Sequence, residues 1–140
     1  MVYTMAGPIP KERREGEQTG GDVPAPLEII EKTVDLALTN ARLGGHEEAE
    51  GRLTEASKRW PEDPRVDATL GHVYQMWSDK EGLTDVERVA KLRQSTGAFE
   101  SALAKLGRKP VERQEETVET IKKEIVRNAQ VMADIVKRQR

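Results

Sequence analysis

The chain has no cysteine, and aromatic residues make up only 4% of its 140 positions, with Phe99 the single phenylalanine. Without thiols there is no disulfide, no cysteine nucleophile and no thiolate metal site. No run approaches the roughly 18 consecutive apolar residues of a membrane-spanning helix. The opening MVYTMAGPIPKERREGEQ lacks the basic-then-apolar order of a secretory signal, so a cytoplasmic protein is expected. The two histidines, His46 and His72, have no partner at ligand spacing. His46 falls in a turn, where a solvated side chain is expected. Ser57, Ser78, Ser95 and Ser101 lack the neighbouring base and orienting group of a nucleophile. A glycine-rich phosphate loop needs a strand before it, and no strand alternation is present. These absences lead away from an enzyme, and no metal or cofactor is expected.

What the chain has in abundance is charge and helix formers. Charged residues make up 34% of the positions and the mean hydropathy is -0.72. Alanine, leucine, glutamate, lysine and arginine are the residues that cost a helix least. The net charge is only -2, unevenly spread. Residues 1–106 carry 14 Lys and Arg against 19 Asp and Glu, and residues 107–140 carry 9 against 6. A basic end suits the negative pole of a terminal helix. Arg108, Lys109, Lys122, Lys123, Lys137, Arg138 and Arg140 are countered by nearby acids, so nucleic acid is not the expected partner.

Four of the seven prolines and the Gly20-Gly21 pair fall in residues 1–26, whose apolar groups show no period. That composition predicts an extended or disordered arm. Helical signals follow. Ile29, Thr33, Leu36, Asn40 and Leu43 recur at four-three spacing, and Gly44-Gly45 closes this helix. Ala49, Leu53, Ala56 and Trp60 form the face of a second, ended by Pro61. Asp63 caps a third, with Pro64 at its first position and Leu70, Val73, Tyr74 and Trp77 along it. Thr84 and Glu87 form a capping box before a fourth helix. Its stripe runs Val86, Val89, Leu92, Thr96, Phe99, Leu103 and Leu106, with Gly97 inside and Gly107 as its stop. Pro110 starts a fifth helix with Val118, Ile121, Ile125, Asn128, Met132 and Ile135 on one face. The reading is an all-α chain of five helices.

Leu36, Ala37, Gly44, Ala49, Leu53, Ala56 and Pro61 together resemble a tetratricopeptide repeat, whose two antiparallel helices occupy 34 residues. With one repeat at Ile30–Asp63, a second starting at Pro64 places Leu70, Gly71 and Tyr74 on matching positions. Phe99, Ala102 and Leu103 resemble its second helix. Extra residues between Trp77 and Ser95, Asn40 in place of a large apolar group, and Gly107 in place of a proline depart from the pattern. The resemblance implies a right-handed stack of antiparallel helix pairs over residues 27–107. A long capping helix over residues 108–140 stands in for the third repeat that such stacks usually need.

The resemblance also implies a function, an adaptor or assembly subunit that holds a peptide or helix of another protein in a groove lined by each repeat's first helix. Val34, Leu38, Ala41 and Arg42 are expected there from the first repeat. Arg65, Ala68, His72, Gln75 and Met76 are expected from the second. Chaperone-tail receptors of this family use lysines and asparagines where Val34, Leu38, Ala68 and His72 stand, which argues against that partner class. The alternative is a homo-oligomeric structural protein assembled through the C-terminal helix. An asparagine such as Asn128 within an apolar seam can set register and oligomeric state. The favoured expectation for this helix is that half packs on the repeats and half projects.

Overall fold

The computed structural model describes residues 27–108 and 114–139. Among the described residues every regular element is an α-helix: α1 (Leu27–Arg42), α2 (His46–Arg59), α3 (Pro64–Ser78), α4 (Asp85–Arg108) and α5 (Gln114–Arg138). The arm expected over residues 1–26, and the start of the last helix at Pro110, lie outside the described residues.

Local chemistry sets the helix ends. Gly44 has φ +93°, a left-handed conformation that costs an L side chain dearly but glycine little. It lets the Gly44 N–H reach the Ala41 carbonyl at 3.0 Å and the Gly45 N–H reach that of Asn40 at 2.7 Å, the paired bonds of a Schellman motif. The Asp63 carboxylate accepts the Arg65 N–H at 2.9 Å, and Pro64 takes the first turn of α3. The capping box forms reciprocally. The Thr84 N–H donates to Glu87 at 2.8 Å and the Glu87 N–H to the Thr84 hydroxyl at 3.1 Å. Hydrogen bonding from Thr84, its backbone N–H first and its hydroxyl second, holds the Glu87 pKa below its ordinary value. Gly107 does not end α4, which runs on to Arg108.

α1 packs on α2 and α3 on α4, while both members of the first pair touch α3 and α5 lies on α4. The first core cluster joins α1, α2 and α3 through Ala37, Ala41, Ala49, Leu53, Ala56, Val66 and Val73, with Val34, Trp60, Leu70 and Met76 packed around it. Its alanines let backbones approach closely, so neighbouring atoms regain in dispersion what larger groups would supply by area. The second cluster joins α4 and α5 through Phe99, Ala102, Leu106 and Ile121. Gly71 links the two halves. A Cβ on it would lie 2.6 Å from the Phe99 ring, and its carbonyl accepts the buried Ser95 hydroxyl at 2.7 Å.

Three expectations are corrected. α1 turns a different stripe inward: Ile30, Ala37 and Ala41 are buried, whereas Ile29, Leu36 and Leu43 are exposed. Val86, at the first turn of α4, is exposed because it lies off the helix face that carries the buried Leu92, Ser95, Phe99, Ala102 and Leu106. α5 does not project. It runs antiparallel along α4 from Ile121 beside the Leu106 end, through Asn128 on Ser95 and Thr96, to Arg138 near Asp85.

His46 is also not a solvated turn residue. It opens α2, is buried, and stacks on Trp77 of α3 at 5.7 Å between ring centroids. Trp77 in turn stacks on Tyr74, and the Lys91 ammonium of α4 sits 3.6 Å from the Trp77 centroid. The Tyr74 hydroxyl donates to Glu50 of α2 at 2.5 Å, and burial with that carboxylate pushes its pKa up. This aromatic stack, with the cation–π contact, ties α2, α3 and α4 together.

Candidate partner-binding groove

α1 and α3 lie side by side, and between them opens a cleft of about 530 Å³ lined by Glu31, Val34, Asp35, Arg65, Ala68, Thr69 and His72. Glu31, Val34 and Asp35 share one face of α1 because three- and four-residue steps return to the same side of a helix. Arg65, Ala68, Thr69 and His72 do the same on α3. Val34 and Ala68 bring half-buried apolar groups to the cleft, each resting on a different core cluster.

The polar walls differ in character. Arg65 is pinned by Asp63, its Nε donating at 3.0 Å and its Nη2 pairing with the second carboxylate oxygen. That hydrogen bonding raises the Arg65 pKa against the opposing effect of burial, and the charges of Asp63 and Glu31 add to the rise. Glu31 and Asp35 place two carboxylates on the α1 wall, while the one guanidinium opposite is already matched by Asp63. The Thr69 hydroxyl turns to its own helix, donating to the Arg65 carbonyl at 2.7 Å. His72 meets the Phe99 ring edge-on at 5.1 Å, so its imidazole is held in place by the second core.

Of the nine residues expected in a groove, Val34, Arg65, Ala68 and His72 come together here. Leu38 is half-buried and Arg42 exposed, both further along α1 and outside the cleft lining. Ala41 is 3% exposed in the first core cluster, which removes it from any surface a partner could touch. Gln75 is engaged by α5, its Nε2 donating to Glu124 and to Asn128 at 2.9 Å each. Met76 packs on the first core cluster. Glu31, Asp35 and Thr69 were missed. Glu31 precedes Val34 by three residues and Asp35 follows Glu31 by four, so helical phase alone sets both beside Val34.

Among the described residues no group of three or more His, Asp or Glu side chains is placed to hold a metal ion. No helix among them is long and apolar enough to cross a membrane. Comparison with protein-family models, with curated proteins and with solved structures returned no match.

Proposed function

We propose that this chain is a non-catalytic protein–protein interaction module, an adaptor or assembly subunit that holds a segment of another protein between α1 and α3. The reading takes α1–α2 and α3–α4 as two tetratricopeptide-like pairs in a right-handed stack, with α5 as the capping helix, and places the protein in the cytoplasm. One observation carries it. A cleft formed by the first helices of two successive pairs is lined by four residues expected there on the sequence resemblance alone. Two half-buried apolar groups flanked by polar side chains suit an extended or helical segment better than a small molecule fully enclosed.

The alternative, self-assembly through the C-terminal helix, has less to draw on. Ile121 and Ile135 are buried, and Asn128 bonds to Ser95, Thr96 and Gln75 of the same chain.

Affinity capture followed by mass spectrometry tests the adaptor reading, using the intact chain beside two variants. Glu31→Lys with Asp35→Lys inverts the groove wall, and Lys58→Glu changes an exposed charge on α2. A partner retained by the intact chain and by Lys58→Glu, but lost by the double variant, is the expected result. Equal retention by all three would move binding away from this cleft.

A further inference from the structure

The cleft between α1 and α3 is unevenly charged. Glu31 and Asp35 stand exposed on the α1 wall, and among the described residues neither carboxylate has a hydrogen-bonded or ion-paired partner. Arg65 across the cleft feels the Glu31 charge, but its guanidinium is bonded to both oxygens of Asp63. Val34 and Ala68 supply half-buried apolar surface between the walls. The occupant this cleft suits brings two cations at the spacing of Glu31 and Asp35, with an apolar group beside them. Four residues apart on α1, those carboxylates are separated by roughly 6 Å along the helix axis.

The chain carries such a segment. Within residues 1–26 the only cationic side chains are Lys11, Arg13 and Arg14, and they directly follow Pro8, Ile9 and Pro10. Proline fixes its own φ and disfavours helix at the residue before it, so the sequence predicts an extended backbone here. In an extended chain alternate side chains share a side, which groups Ile9, Lys11 and Arg13 and turns Glu12 away. Two residues of extended chain advance about 6.6 Å, close to the step from Glu31 to Asp35. Arg13 precedes Leu27 by 14 residues, up to about 46 Å of chain, and Glu31 lies only roughly 6 Å into α1. The run therefore reaches the cleft, and the Gly20-Gly21 pair permits the reversal that brings it back along α1.

We propose that residues 9–13 dock in the cleft of their own chain, antiparallel to α1, with Arg13 on Glu31 and Lys11 on Asp35. Ile9 then continues toward His72, and Glu15 falls beside the positive N-terminal pole of α1. The covalent tether sets the strength. It presents the run to the cleft at an effective concentration on the order of millimolar, so contacts too weak to hold a free peptide suffice. The docking rests on the cleft and the arm alone. Its consequence, that a partner must displace the arm to enter, rests on the adaptor function proposed above.

Paramagnetic broadening in the full chain tests this. Because the chain has no cysteine, Gly7→Cys supplies a single thiol for a nitroxide label. Docking should broaden the backbone amide signals of Val34 and Ala68 and leave that of Val131, exposed on α5, sharp. Glu31→Lys with Asp35→Lys should abolish the broadening, and so should Lys11→Glu with Arg13→Glu. All four changes together should restore it, a result that a misfolded variant cannot give. A sharp spectrum in the intact labelled chain, broadening that survives either charge reversal, or failure of the fourfold variant to restore it would each overturn the proposal. So would broadening passed to an unlabelled copy in a mixed sample, which would mean docking between chains. No partner is present in this experiment, so a negative result leaves the adaptor reading to be judged by affinity capture.

Discussion

The Phe99 ring occupies the space that any side chain on Gly71 would need: a Cβ at that position would lie 2.6 Å from ring carbon Cε1. Phe99 is fully buried and His72 braces it edge-on, so the ring has little room to withdraw. Gly71→Ala should therefore destabilise the protein by about 1–3 kcal/mol, as overpacking does, despite the better helix propensity of alanine. In a Phe99→Leu background the same substitution should cost measurably less, since contacting residues couple. Urea unfolding of the two single variants and the double variant would read both effects. Additive costs would mean that the two residues do not share this space.

Gly97 presents the opposite case. It lies within α4, is exposed, and a Cβ there would meet nothing within 4 Å. Gly97→Ala should stabilise the protein by up to about 1 kcal/mol, by restricting the unfolded chain and favouring the helix. An unchanged or lower unfolding midpoint would count against the placement of this residue on an open helix face.

Asn128 is 1% exposed and fully engaged across the α4–α5 interface. Its Nδ2 donates to Ser95 at 2.9 Å and to Thr96 at 3.2 Å, and its Oδ1 accepts from Gln75 at 2.9 Å. Asn128→Ala leaves those partners without their acceptor or donor and should cost about 1–3 kcal/mol. Hydrogen exchange should show the loss most clearly in α5, which is docked chiefly through α4. Full protection of α5 in the variant would show that the apolar contacts alone hold the helix.

His46 makes the stability pH-dependent in a predictable direction. Burial, with repulsion from Lys80 second, holds its imidazole below the ordinary value of 6.5. The unfolded chain then takes up a proton at higher pH than the folded one, so this contribution is complete above about pH 6.5 and fades as the pH falls through the folded pKa. Substituting His46→Gln should lower stability at pH 7.5 through loss of the Trp77 stack, yet flatten the fall in melting temperature between pH 7 and 5. Parallel pH profiles for the two proteins would contradict a buried neutral histidine.

The groove was partly legible in the sequence. Helical phase on α3 brings Arg65, Ala68 and His72 to one side once the cap at Asp63 and Pro64 sets the start of that helix. Gln75 and Met76 follow the same phase, but what they meet depends on α5 and on the first core, which lie far away in the chain. On α1, the resemblance puts Ala41 in the groove with Val34, and only the position of α2 shows that one is enclosed and the other borders the cleft.

Local signals in the sequence determined the five helices and most of their ends. Gly44 can take a positive φ, Asp63 can cap, and Thr84 with Glu87 can satisfy each other's backbone donors, whatever the rest of the chain does. The choice of inward face on α1 was not local. By apolar bulk, Ile29, Leu36 and Leu43 outweigh Ile30, Ala37 and Ala41, yet the smaller set is buried. Tertiary packing decided this, because Ala37 and Ala41 meet Ala49, Leu53 and Ala56 in a shared core where small groups allow close contact. A helix reports in its sequence which residues share a side, but the fit of its neighbours decides which side is covered.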